Sequence, residues 1–205
     1  MFISHMVVSQ EKREALLLTS NYKEANTTIE EIHSIQLIDL RKMEVIDNCD
    51  LDTNEHALSI ERFEKDNIEM YVVGTAYSKS NKIEPTLGRL IIITTKDNKI
   101  EIIYSVTVNG AVYSMKTYMK DYLTASIQKQ LKIYKYERSI INDEFKMSLQ
   151  LITSIDVKLI GLYIKTYEDR ILVGDLMKNI SVDHFVPNSN VKNSLNEVCR
   201  DFYVS

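Results

Sequence analysis

The chain has 205 residues, 44% of them hydrophobic and 26% charged, with 25 basic against 29 acidic side chains and a formal net charge of -4. That balance is the globular norm; it excludes a disordered tail, a collagen-like chain and a coiled coil, and it argues against a chain built mainly to hold nucleic acid. No apolar run reaches the roughly 18 residues of a membrane-spanning helix, Glu11-Lys12-Arg13-Glu14 interrupts any secretory apolar segment, and 2 cysteines make no disulfide framework, so a reducing compartment and no membrane contact are expected.

Twelve tyrosines and abundant isoleucine stand against 5 glycines and 2 prolines. β-Branched and aromatic residues suit pleated, half-buried surfaces. With glycine scarce, Asn, Asp and Lys must supply the turns, as in Lys96-Asp97-Asn98-Lys99. In chain order, the first apolar segments fall at residues 2–8, 15–19, 33–40 and 44–49, and the polar stretch 20–30 reads as a mobile insertion. A clearer set follows: Ala57-Leu-Ser-Ile-Glu-Arg-Phe63, Met70-Tyr-Val-Val-Gly-Thr-Ala76, Gly88-Arg-Leu-Ile-Ile-Ile-Thr-Thr95 and the segment 99–106. The pattern then recurs with Ala111-Val-Tyr-Ser-Met-Lys-Thr-Tyr118, Tyr122-Leu-Thr-Ala-Ser-Ile127, Gln130-Leu-Lys-Ile-Tyr-Lys-Tyr136 and the segment 145–151. It recurs again with Gly161-Leu-Tyr-Ile-Lys-Thr-Tyr167, Arg170-Ile-Leu-Val-Gly-Asp-Leu176, the segment 178–185 and, less clearly, 194–199. Longer connections are expected at 78–87, which contains Pro85, and at 137–143 and 187–193.

The fold class is therefore all-β: about four units of four strands, near residues 1–50, 51–108, 109–157 and 158–205. Units of about fifty residues with four strands each are β-propeller blades. A β-sandwich does not call for the same small-residue start in three successive units. Lacking an obvious closing strand, the four blades read as part of a longer ring.

Chemistry is sparse. His5, His33, His56 and His184 share no spacing and read as surface or strand-end residues, with no metal, cofactor or catalytic constellation expected. Asp50, Asp52, Asn54 and Glu61 have calcium-loop spacing, but Glu55 stands where the turn needs glycine, so a polar connection between blades is the better reading. The stretch 116–138 interleaves Lys129, Lys132 and Lys135 with Tyr118, Tyr122, Tyr134 and Tyr136, a pattern that could grip single-stranded nucleic acid but more often marks the wet and dry faces of the same strands. The starts near Ala57, Ala111 and Gly161 should line one rim, where Tyr113, Leu162 and Tyr163 form either a docking patch or blade packing.

At these residues the chain resembles the family of damaged-DNA-binding protein 1 and the A-subunit of the cleavage and polyadenylation specificity factor. The carrying segments are Tyr71-Val-Val-Gly-Thr-Ala76, Glu84-Pro-Thr-Leu-Gly-Arg89, Gly110-Ala-Val-Tyr-Ser-Met115, Leu162-Tyr-Ile-Lys-Thr166, Ile171-Leu-Val-Gly-Asp-Leu-Met177 and Arg200-Asp-Phe202, spread from about Glu30 to Phe202. The resemblance implies several blades of the C-terminal member of three seven-bladed propellers. It implies a non-catalytic adaptor of a cullin–RING ubiquitin ligase, linked to DNA repair in the nucleus and cytoplasm. In such an adaptor a helix of WD40-type substrate receptors enters a cleft between propellers, and a propeller absent here holds the cullin. Carried over by motif, the receptor-contacting positions are Ala111, Tyr113 and Ser114, then Ile160, Leu162 and Tyr163. An RNA-processing subunit of the same superfamily, holding nucleic acid through 116–138, is the alternative.

Overall fold

A computed structural model describes residues 2–9, 11–25, 28–78, 84–141, 144–157, 159–177, 179–186 and 194–203. Among them every regular element is a strand. The first sheet runs β1 (Phe2–Val8), β2 (Glu14–Ala25), β3 (Thr28–Asp39), β4 (Glu44–Asp50); the second runs β5 (Glu55–Lys65), β6 (Ile68–Tyr77), β7 (Gly88–Lys96), β8 (Lys99–Val108). The third comprises β9 (Val112–Tyr118), β10 (Tyr122–Ile127), β11 (Gln130–Ile141), β12 (Glu144–Asp156), and the fourth β13 (Gly161–Tyr167), β14 (Arg170–Asp175), β15 (Asn179–Val186), β16 (Ser194–Tyr203). Each sheet is an antiparallel meander with strands in chain order, the topology of a propeller blade, and the sheets are not closed on themselves.

The turns work without glycine, as the composition requires. Asp66-Asn67 and Asp97-Asn98 each put two successive residues at positive φ, closing the Lys65↔Ile68 and Lys96↔Lys99 pairs with two-residue hairpins. Short polar side chains tolerate that region best, and its twist matches the strands.

The chain divides into two compact units, Met1–Ala111 and Val112–Ser205. In the first, period-2 pairs meet across two sheets: Leu16 and Leu18, Ile35 and Leu37 pack with Tyr71 and Val73, Ile91 and Ile93. Each such side chain contributes roughly 1.5–3 kcal/mol on leaving water. The intervening Val72 and Ile92 are buried as well, so the middle strands of the second sheet are dry on both faces. This explains the unbroken run Leu90–Ile93. In the second unit, Tyr118, Leu131 and Ile133 pack with Ile164, Ile171, Val173 and Phe185. The Tyr118 hydroxyl donates to the Phe185 carbonyl at 2.9 Å, and Tyr122 meets the Phe185 ring edge-on at 5.5 Å.

Two expected connections prove to be strands. Pairing of β2 with β3 continues from Ser20↔His33 to Ala25↔Thr28, so most of the expected insertion 20–30 is a hairpin arm. Likewise β11 and β12 pair out to Ile141↔Glu144, where a loop over 137–143 was expected. Backbone ladders need no apolar face, and an arm with a solvated face such as Tyr22, 60% exposed, looks like a loop in sequence. Residues 79–83 and 187–193 of the other expected connections lie outside the described residues.

Candidate partner-docking rim

Each first strand of a blade carries a bulge near its start. The register skips between Ile3 and His5 in β1, between Ala57 and Ser59 in β5, and between Gly161 and Tyr163 in β13. In β9, Ser114 pairs with Ser126 and Val112 with Ile127, leaving Tyr113 as the extra residue. A bulge bends the strand and re-aims its side chains at a rim. Leu58, Tyr113 and Leu162 are thus equivalent. The residues before the bulge are Ala57, Val112 and Gly161, so the small residue expected to open the third repeat, Ala111, lies one residue out of register and a valine takes its place.

Inside the second unit, β9 and β13 lie side by side, and Thr166 Oγ1 donates to the Thr117 carbonyl at 3.2 Å. Gly161 is needed where β13 meets β10 and its own neighbour β14, because a Cβ there would sit 2.6 Å from Val173 Cγ1 and 3.0 Å from Ser126 Oγ. The six expected docking positions differ in access. Ala111 is fully buried and offers a partner no surface; Tyr113, Ser114, Ile160 and Leu162 are half-buried; Tyr163 is 72% exposed. Its side chain lies over Gly174, the residue it pairs with.

The sequence reading missed two neighbours. Leu176 N donates to the Ile160 carbonyl at 3.1 Å, so the turn after β14 sits on the same edge as the start of β13. Asp175 Oδ1 accepts from the amides of Met177 at 2.8 Å and Asn179 at 3.0 Å, and its Oδ2 accepts from Asn179 Nδ2 at 3.1 Å. This Asx arrangement displays Leu176 and Met177, 59% and 65% exposed, beside Tyr163. Tyrosine, leucine and methionine with a polar support have the composition of an interface core. The signal lay in Val173-Gly-Asp-Leu-Met177, two exposed apolar residues after a turn-forming Asp.

The lysine stretch is arranged differently. Lys129 occupies the turn between β10 and β11, while Lys132, half-buried, and Lys135, exposed, are an odd number of residues apart on β11 and so leave opposite faces. Tyr118, Tyr134 and Tyr136 are buried, so they present no ring for a base to stack on.

The carboxylates with calcium-loop spacing are engaged elsewhere. Asp50 accepts from Asn48 Nδ2 at 2.6 Å, and Glu61 lies in mid-strand opposite Val72. Asp52 Oδ2 accepts from the Tyr77 hydroxyl at 2.7 Å and faces Arg89 at 3.2 Å. Arg89 also holds Glu55, whose side chain is fully buried, through Nε at 2.8 Å and through a second, very short contact from Nη2. The Thr75 hydroxyl and the Asp52 amide complete the shell of Glu55 at 2.5 and 3.2 Å. Burial, aided by the bond to Asp52, pushes the Tyr77 phenol well above its usual range. Gly88 precedes this arginine because any Cβ there would collide with the Thr75 and Gly110 carbonyl oxygens. The segment Leu87-Gly88-Arg89 is therefore structural.

A family model described as the CPSF A subunit region matches residues 32–204. The chain is 31% identical over 202 residues to a DNA damage-binding protein 1 of Solanum lycopersicum, covering 98% of this chain and 18% of that protein. It is 31% identical over 200 residues to the protein of that name from Oryza sativa subsp. japonica, covering 96% and 18%. Over 178 residues it is 31% identical to DNA damage-binding protein 1a of Arabidopsis thaliana, covering 86% and 16%. The chain thus spans less than a fifth of the length of these relatives. With the matched region running through all four sheets, the chain belongs to the family of the CPSF A subunit region.

Proposed function

We propose that this chain is a non-catalytic protein-interaction scaffold, a segment of an adaptor like damaged-DNA-binding protein 1 that docks substrate receptors onto a cullin–RING ubiquitin ligase in the nucleus and cytoplasm. The observation that carries the reading is one edge of the fourth sheet, where the turn after β14, with Leu176 and Met177 exposed, is hydrogen-bonded to Ile160 at the start of β13, the strand that carries exposed Tyr163. Such a rim suits one apolar face of a partner helix, with anchors spaced by a helical turn. The relatives' names and the order of the shared motifs support the adaptor class, and the cullin would be held by parts of such an adaptor beyond these blades.

The test is binding of a WD40-type receptor's helical segment to the full chain, read by fluorescence anisotropy. Tyr163→Ala and Met177→Glu, both at exposed positions, are expected to weaken binding at least ~10-fold, the scale of a central interface anchor. Leu162→Asp should abolish it. Unchanged affinity in Tyr163→Ala and Met177→Glu, with native far-UV circular dichroism, refutes this use of the rim.

A further inference from the structure

A second cluster lies inside the first unit, away from the rim. Glu31 and His33 stand two residues apart on β3 and so share one face of that strand. His56 comes from the start of β5 in the neighbouring sheet. One donor atom from each lies within 4.8 Å of the others. The two imidazole rings approach to 4.4 Å between centroids, tilted by 58°. Although the two histidines share no sequence spacing, blade packing has brought them together.

The hydrogen bonding of His33 is unusual. Its side chain is only 11% exposed. Both ring nitrogens are shut away from solvent, and neither makes a well-directed hydrogen bond among the described residues. Glu31 Oε1 lies 3.2 Å from Nε2 but off its N–H direction. Buried polar atoms are almost always satisfied, and leaving such an atom alone costs about 1–3 kcal/mol. A carboxylate and two imidazoles whose donor atoms converge on one point are a ligand set for a borderline divalent cation. Zinc bonds of about 2.0–2.1 Å place tetrahedral donors roughly 3.4 Å apart, so small side-chain rotations complete the site.

We propose that Glu31, His33 and His56 bind a divalent transition-metal ion of the zinc class. The ion joins the first blade to the second through a strand chelate on β3 and a single ligand from β5. Three protein ligands leave a fourth position for water, on the side where Glu31 keeps about a third of its side-chain surface. Because the two histidines belong to different sheets, the site exists only in the folded unit. Binding therefore stabilises that unit and gives one of the two ring nitrogens of His33 a partner.

The experiment titrates the purified full chain, stripped with a chelator, with zinc in competition with a chromophoric indicator, and with cobalt for its absorption spectrum. Expected are one zinc per chain, a cobalt spectrum of four-coordinate intensity and a higher melting temperature that the chelator reverses. His33→Asn and His56→Asn should each lower affinity more than ~10-fold, since even an outer-shell loss costs 10–100-fold. His5→Asn and His184→Asn should leave it unchanged. Glu31→Gln, at an exposed position, guards against misfolding: it should keep the native circular dichroism and still weaken zinc. The proposal is overturned if the wild-type chain takes up no zinc at micromolar concentration, or if zinc binding survives in the His33→Asn/His56→Asn double variant.

Discussion

Replacing Arg89 by Met strips the fully buried Glu55 carboxylate of its counter-charge. In the folded chain Glu55 accepts from Arg89 Nε, Arg89 Nη2, the Thr75 hydroxyl and the Asp52 amide. The variant keeps only the last two, so a charge must stay buried with half its shell. Breaking one side of such a pair costs about 3–5 kcal/mol; Arg89 keeps 23% of its side-chain surface, which admits some water and points to the lower end, ~3 kcal/mol. Glu55→Met should cost less, about 2 kcal/mol, because Arg89 retains Asp52 and solvent. The double variant removes both charges and leaves a hydroxyl and an amide without their acceptor, about 1–2 kcal/mol in all. The singles should therefore sum to ~3–4 kcal/mol more than the double, a coupling that distant sites never show. The chain has no tryptophan, so urea unfolding followed by circular dichroism is the suitable assay. Arg89→Met should lower the midpoint by roughly 1–2 M. A loss under ~1 kcal/mol in Arg89→Met, or additivity of the two singles, would refute the reasoning.

Two further outcomes are expected. Burial, with Asp169 nearby, pushes the Tyr118 phenol up to about 12. The unfolded chain then loses this proton near pH 10 while the folded chain holds it, so the contribution is intact below pH 10 and drains away between about 10 and 12, by ~1.4 kcal/mol per pH unit. Tyr118→Phe, which loses the bond to the Phe185 carbonyl, should be about 1 kcal/mol less stable than wild type at pH 8. Because other tyrosines titrate in both proteins, the difference between them is the readout: it should vanish or reverse at pH 11, and a constant difference across that range would refute the assignment. Neutralising Lys129, Lys132 and Lys135 together should leave weak single-stranded RNA retention at low salt unchanged; a salt slope reduced by about two or three charges would instead mark a real nucleic-acid track.

Strand existence was legible in the residues because alternation and β-branched content report directly on a sheet face. So was the fourfold recurrence, since each blade must bury the same positions against its neighbours. The small-residue openings of Ala57 and Gly161 and the glycine-free turns at Asp97-Asn98 were equally visible. The polar arms of β2–β3 and β11–β12 were not, because a ladder leaves no mark in side chains that face water. Nor was the bulge that aligns Tyr113 with Leu162, since one inserted residue alters register without altering composition.

Local chemistry by itself determined that these segments are strands, where they turn and which faces are apolar, because those properties depend on neighbours within a few residues. Burial was decided only when sheets met. Tyr118 and Tyr167 end the same Lys-Thr-Tyr sequence on equivalent strands, yet one is 1% exposed against Phe185 and the other 69% exposed. In the same way the meeting of β3 with β5 set His33 beside His56. No single strand encodes such proximity; it comes from the packing of sheet on sheet, which joins residues that lie far apart along the chain.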